Sequence, residues 1–310
     1  MEYRLLTYRS SEGPRAGIFA EGKVFDLARA TGRPSWHSVL AILDDWAEAE
    51  PLLEQTATGL ATGRVTMDGL ALAAVELSAP LLYPRNIYAA GGNYIDHIEK
   101  MFKVMNIPRQ PTPKERGENP WHFVKPTFGT VVGPNARVAL PAHSAKVDWE
   151  IELAAVIGKR ARNVPVDEAL QCVAAYTIAN DLSARDNNTR KKTPTDNPFF
   201  RDMLGGKGFD GSCPMGPWLV PAKEIPDPQD LGMKLWVNDE LMQDSNSSQM
   251  VFSTAEQIAM LSSRITLHPG DVVLTGTPAG TGMESSRFLK GGDTVRLWIN
   301  SIGEMTHTVV

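Results

Sequence analysis

The segment VDWEIELAAVIGKR, residues 147–160, decides how the rest of the chain is read. Aromatic and β-branched residues run up to Gly158 and Lys159-Arg160 mark an exit, so the stretch reads as a strand. Its downstream half is almost wholly apolar, which puts at least one face in a core. Glu150 and Glu152 nevertheless stand in it two residues apart. Side chains alternate across a strand, so both carboxylates point to one side, with Cα atoms roughly 6 to 7 Å apart. That side continues as Ala154, Val156 and Gly158, while Trp149, Ile151 and Leu153 occupy the other. A solitary Glu-x-Glu is usually a solvated surface pair. Here the apolar continuation places the acids at the mouth of something buried, where their repulsion needs a counter-charge.

A second apolar strand supplies a third acid. TIANDLSARD, residues 177–186, ends in Asn180-Asp181 before a polar turn, and an Asp at the end of a core strand can be delivered to the same mouth. Three carboxylates with neither Cys nor His among them are hard oxygen ligands. They suit Mg²⁺ or Mn²⁺ with waters retained on the metal, and do not suit zinc. Such an ion relieves the repulsion and leaves positions for a substrate that chelates through two oxygens.

Around these segments the texture is that of a strand-rich, mixed α+β protein. Short strands broken by Gly-Asp or Pro-Gly turns are expected at 86–90, 173–179, 233–237, 271–275 and 294–300, with helices from Tyr94 to about Met105 and from Ser253 to Ser262. Helices do not alternate with the strands, which argues against a doubly wound sheet and for a roll, barrel or sandwich. The first 80 residues read as a small α+β domain: a strand at 3–9, a hairpin turned by Glu21-Gly22, a helix over 39–53, then a polar stretch at 56–63. Prolines in APLLYPRN (79–86) mark the boundary with the catalytic part, 81–310. Residues 108–126 read as a long polar loop, of a length that is usually either a functional lid or disordered.

The whole 310-residue chain carries 31 basic and 36 acidic residues, a net charge of −5, so no basic surplus points to nucleic acid. No apolar run is long enough for a bilayer and the start has no apolar leader, so no membrane role is expected. Two cysteines without CxxC spacing fit a reduced, cytoplasmic setting.

Five blocks in order make the sequence resemble the fumarylacetoacetate hydrolase family: GGNYIDHIEKM (91–101), FVKP (123–126), DWEIELAAVIGKRARNV (148–164) with TIANDLSARD, GGKGFDGSCPMGPW (205–218) and LHPGDVVLTGTPAGTGM (267–283), followed by GGDTVRLWINSIG (291–303). The likeness covers about residues 83–303. It implies a β-roll or sandwich catalytic core, usually homodimeric, with Mg²⁺ or Mn²⁺ on Glu150, Glu152 and Asp181. The implied activity is hydrolysis of a C–C bond in a 1,3-dicarbonyl 2-oxo acid of the acylpyruvate or fumarylpyruvate type, through a metal-held enolate, as in aromatic compound catabolism. Decarboxylation or isomerisation of an oxaloacetate- or hydroxymuconate-type acid, or a ureidoglycolate-type lyase reaction, are the alternatives.

The resemblance also assigns side chains. His97, in the NYxxH motif, is the general-base candidate. In hydrolytic members a carboxylate three residues later orients this histidine, but Lys100 stands there. Glu99 is the nearest glutamate, at an offset that points sideways on a helix, and Glu115 or Glu118 of the long loop are further candidates. Lys207 in GGKGF is expected near the metal, offsetting negative charge on the substrate. Arg185 suits a substrate carboxylate, although an ion pair with Asp186 or another acid is equally open. Asn188 stands where the family often has Gln, and Lys125 fits its lid-side lysine. Thr275 and Thr277 lie at a strand end where a hydroxyl and backbone N–H groups could bind a carboxylate. Trp121 and His122 are candidates to line the lid.

Overall fold

The structure, a computed structural model, describes residues 2–310. Among these residues two sheets dominate. The larger has twelve strands, and its central order is Arg4–Ser10, Cys213–Pro221, Val173–Asn180, Ile151–Ile157, Val272–Leu274, Ile87–Ala90 and His122–Lys125. The smaller has five, ordered Glu240–Asn246, Gly232–Val237, Thr294–Ile299, Gly303–Val309 and Arg137–Val138. This is the strand-rich, mixed α+β architecture expected.

Alternation in the Ile151–Ile157 strand distributes its side chains between two cores. Trp149, Ile151, Leu153, Ala155 and Ile157 pack with Leu235, Val295 and Leu297 of the smaller sheet. Ala154 and Val156 pack with Trp36, Trp46 and Leu53 of the N-terminal segment. A strand covered on both faces must be apolar on both, which accounts for the run that follows the glutamates.

The expected single strand from Val147 is two. Val147–Asp148 pairs with Ser183–Ala184, whereas Ile151–Ile157 pairs with Val173–Asn180 and Val272–Leu274. Trp149 and Glu150 form the step between them. Glu150 N–H donates to Asn180 Oδ1 at 2.9 Å and its carbonyl accepts from Asp181 N–H at 2.9 Å. Those bonds replace the missing ladder and tie Glu150 to the residue before Asp181.

The N-terminal segment departs from expectation in its helices. The stretch read as one helix to residue 53 is two, Val39–Asp44 and Trp46–Ala61. Asp45 breaks them, its carboxylate accepting from Trp36 Nε1 at 2.9 Å. The second helix absorbs the stretch read as a polar connector, because Thr56, Ala57 and Gly59 continue its buried face, the Thr56 hydroxyl being satisfied by the Leu52 carbonyl. The Glu21-Gly22 turn is present, with both residues at positive φ. Arg4–Ser10 also joins the large sheet, antiparallel to Cys213–Pro221.

Strand ends converge on one place. Val272–Leu274 and Ile87–Ala90 run parallel, and their ends lead into Thr275-Gly276-Thr277 and Gly91-Gly92. Beyond Gly92, Tyr94 opens the helix Ile95–Val104, and Asp181 follows the end of Val173–Asn180.

Candidate active site

One oxygen from each of Glu150, Glu152 and Asp181 lies within 4.8 Å of the other two, and all three residues are buried. Each has a different environment. Glu150 accepts from Arg185 Nη2 and from Lys207 Nζ, both at 2.5 Å. Asp181 accepts from Lys207 Nζ at 2.5 Å and Lys125 Nζ at 2.6 Å. Among the described residues Glu152 has no cationic partner: its Oε2 accepts from Gly276 N–H at 2.6 Å. A fourth buried acid, Asp148, accepts from Arg185 Nε at 2.8 Å.

Four carboxylates therefore face three cations, leaving one negative charge in excess. The surplus falls on Glu152, whose carboxyl is pushed well above the usual range by burial and then by Asp181 and Glu150. Burial also opposes ionisation of Glu150, but Arg185 and Lys207 outweigh it and hold that carboxyl far below its ordinary value. An ionised carboxylate offers about four lone-pair sites, so the ammonium and guanidinium contacts still leave oxygen donors. An all-oxygen set with an uncompensated anion fits a hard divalent cation.

His97 lies on the first turn of Ile95–Val104 and lines the same cavity. Its Nδ1 is 2.7 Å from Oε1 of Glu284, a buried carboxylate in the short helix Gly282–Ser285. Glu284 Oε2 also accepts from Gly280 N–H at 2.7 Å. Asp148 fixes the start of that helix by accepting from Gly282 and Met283 N–H at 2.6 and 3.0 Å. Facing Glu284, Nδ1 carries the proton, which leaves Nε2 as the basic nitrogen.

Glu284 corrects the expected partner of His97. Glu99 points away on the helix, as a two-residue offset dictates, and lies 3.6 Å from Arg109 in a half-exposed pair. Glu115 is held by Thr112 and Arg109, and Glu118 by Arg116, so neither reaches the histidine. The carboxylate comes from a turn 187 positions away.

The cavity beside the trio has a volume of about 180 Å³. Besides His97, Glu150 and Glu152, its wall gathers five more of the expected residues, Trp121, Arg185, Asn188, Lys207 and Thr277, together with Phe123 and Arg201. A larger hollow of about 620 Å³ under residues 99–109 touches none of the three acids.

Three expected contacts lie elsewhere. Lys125 is wholly buried behind Asp181 and acts as its counter-charge, so it is no lid-side residue. Thr275 is also wholly buried, with its hydroxyl donating to the Leu153 carbonyl at 2.9 Å. His122 packs inward, with Nε2 3.2 Å from Gln257 Oε1. The sequence reading missed Glu284 altogether. Arg201 was not singled out from the sequence, which offers only the loop 191–201 as a whole for reading the substrate's tail.

A buried carboxylate cluster at the strand ends of a β-sandwich, beside a histidine–glutamate pair, defines the metal-dependent enzymes that act on small molecules at a cation. The pattern described as fumarylacetoacetate hydrolase C-terminal matches residues 86–310. The chain belongs to the fumarylacetoacetate hydrolase family, and its members include enzymes of several reactions. It is 37% identical over its full length to oxaloacetate tautomerase fahd2, mitochondrial, of Xenopus laevis, covering 91% of that protein. It is 41% identical over 72% of its length to 2,4-didehydro-3-deoxy-L-rhamnonate hydrolase of a Sphingomonas strain, covering 72% of that protein. Among solved structures, maleylpyruvate hydrolase from Sphingobium, in complex with manganese(II) and pyruvate, matches with a TM-score of 0.74 at 30% identity, over 99% of this chain and 98% of that one. No helix among the described residues is long and apolar enough to cross a membrane. The expected cytoplasmic setting meets a different word in several relatives, which are named mitochondrial, the frog protein and human FAHD2A and FAHD2B among them.

Proposed function

We propose that this chain is a divalent-metal-dependent tautomerase of small 2-oxo diacids of the oxaloacetate type, with Mg²⁺ or Mn²⁺ held by Glu150, Glu152 and Asp181. The observation that carries the reading is the His97–Glu284 pair facing the three carboxylates across a cavity of about 180 Å³. The Trp121 and Phe123 side chains stand in the wall of that cavity, which suits a short acid at the three carboxylates. The full-length likeness to an oxaloacetate tautomerase supports the same choice.

The bound cation supplies Lewis acidity toward the 2-oxo group. The chain's own groups move the proton. His97 Nε2 takes a proton from the carbon beside the carbonyl, Glu284 stabilises the imidazolium, and the same nitrogen returns the proton to the oxygen, completing keto-to-enol conversion. Lys207, fixed between Glu150 and Asp181, places a positive charge beside the oxygen where negative charge develops. Arg185 spends Nε and Nη2 on Asp148 and Glu150, which leaves Nη1 for the acid's carboxylate.

The second reading is C–C hydrolysis of an acylpyruvate, the primary expectation from the sequence. One observation favours it: the His97–Glu284 pair supplies the water-activating carboxylate that Lys100 seemed to deny. The hydrolase relatives are of this type by name. Ultraviolet spectroscopy of the oxaloacetate enol, beside an acylpyruvate panel, separates the two with Mg²⁺, Mn²⁺ or EDTA present. Metal-dependent acceleration of ketonisation supports the tautomerase; acylpyruvate cleavage without it refutes that choice in favour of the hydrolase.

Three coarser features complete the proposal. Residues 1–80 form an accessory unit on a catalytic part from 81 to 310, in keeping with a family match that begins at residue 86. The chain is a homodimer joined through the edge strand His122–Lys125, where Val124 and nearby Phe128 are exposed; a dimeric mass by light scattering is its check. A reduced compartment suits the two buried free thiols.

A further inference from the structure

We propose that Arg201, with Asn188 beside it, is the element that recognises the second carboxylate of a 2-oxo diacid, so that this chain selects dicarboxylic over monocarboxylic acids. The proposal rests on the 2-oxo acid reading above and adds to it the residue that reads the far end of the substrate.

The cations lining the cavity are Arg185, Arg201 and Lys207. Two are committed. Lys207 bonds Glu150 and Asp181, and Arg185 bonds Asp148 and Glu150. Among the described residues no carboxylate lies within ion-pair range of Arg201, and its guanidinium makes no hydrogen bond; it lies 5.9 Å from the Phe200 ring. A planar fork of donors at the rim of an acid-binding cavity matches a carboxylate, which it can hold bidentately.

An arginine on a solvated loop would ordinarily carry no meaning, but here the backbone fixes its origin. Residues 190–200 form an exposed excursion whose stems are tied together. Thr189 and Arg201 form a β-bridge, Arg190 N–H donates to the Phe200 carbonyl at 2.8 Å, and Asp202 N–H donates to the Asn188 carbonyl at 2.9 Å. The closure sets Arg201 and Asn188 next to each other on the cavity wall. Asn188 supplies the second observation. Its Oδ1, an acceptor that cannot bond a carboxylate, is packed against Gly206, where a Cβ would collide with it, while its Nδ2 donates to no protein group among the described residues. That amide N–H is the donor left for a carboxylate beside the unspent guanidinium.

The test uses the full chain loaded with Mg²⁺ or Mn²⁺ and two non-reacting hydroxy acids, malate and lactate, titrated calorimetrically. Wild type is expected to bind malate at least about tenfold more tightly than lactate, the span of a charge-assisted pair. Arg201→Gln should abolish that preference, and Arg201→Lys should keep part of it, retaining the charge without the fork. Equal affinity of wild type for the two acids, or an undiminished preference in Arg201→Gln, overturns the proposal. Oxaloacetate turnover is followed in parallel. If wild type prefers malate through Arg201 but does not tautomerise oxaloacetate, the catalytic reading fails and the recognition element stands.

Discussion

His97 is held by a carboxylate that packs behind it, so the proposed role of the histidine and the setting of its tautomer are separable by mutation. His97→Ala should lower kcat by more than ~100-fold, the usual worth of a general acid–base group, with metal affinity retained by calorimetry. Glu284→Gln keeps the size and one hydrogen bond but no longer stabilises the imidazolium. Its expected loss is smaller, about 10- to 100-fold in kcat, with KM little changed; an unaltered kcat would remove Glu284 from the mechanism. Two other histidines give a pH signature away from the reacting groups. Burial holds both His122 and His307 down to about 4. Their folded values lie below the unfolded value of ~6.5, so between those limits the unfolded chain binds more protons. The stability they contribute is complete above pH ~6.5 and lost as pH falls toward 4, on the order of 3 kcal/mol for each. Urea unfolding of His122→Gln and wild type at pH 7 and pH 5 should show a shallower loss in the variant. At this scale the acidic trio was legible, because Glu150 and Glu152 still reach the same side although Glu150 sits in the step before the strand, and Asp181 directly follows a strand. Glu284 was not, because no local spacing links a turn at 284 to a helix at 97.

The elements that deliver these groups are short, and they depend on turns that tolerate little. Gly280 has a φ of 103°, and a Cβ there would be driven into the Met242 carbonyl, a backbone atom that cannot step aside. Its N–H is also one of the donors that hold Glu284. Gly280→Ala should therefore cost ~1–3 kcal/mol in stability and reduce kcat in the same variant, read as a lower unfolding temperature together with slower turnover. A variant of normal stability and normal kcat would mean the turn is not what places Glu284. The long helix Thr254–Arg264 illustrates the opposite, legible case. Ser253, where the sequence places the helix start, caps it in a reciprocal box with Glu256. Elements that failed the reading did so for identifiable reasons. The strand at 147 is interrupted because Asn180 takes over its hydrogen bonding from the side. The N-terminal helix extends past residue 53 because Thr56, Ala57 and Gly59 continue its buried face, the Thr56 hydroxyl being satisfied by the Leu52 carbonyl. Neither cause is visible in hydrophobic periodicity.

At the scale of the molecule, the first 80 residues read as a separate unit in the sequence, yet they cover a face of the sheet that carries the site. Leu5 pairs in register with Leu219, and Trp36, Trp46 and Leu53 bury Ala154 and Val156, the continuation of the glutamates' own side of the strand. The proline-bracketed stretch at 79–86 reads as a boundary because chain punctuation is local. The coverage was not legible, because it depends on which apolar face meets which. The apolar run after Glu152 announced only that something must cover it. A chain beginning at residue 80 would expose that face, and ~25 cal/mol for each Å² of apolar surface returned to water would fall on the strand that positions Glu150 and Glu152. The truncated protein should be aggregated or bind a fluorescent apolar dye strongly, and should have lost its divalent-metal affinity. Trp46→Ala is the graded version. Trp46 packs against the backbone at Gly158, where an added Cβ would come within 2.9 Å of its indole ring. Its loss should cost ~3–5 kcal/mol without touching any group in the cavity. If instead the chain from residue 80 stays monodisperse and binds metal with wild-type affinity, the N-terminal segment is an appendage and the site is supported from the smaller sheet alone.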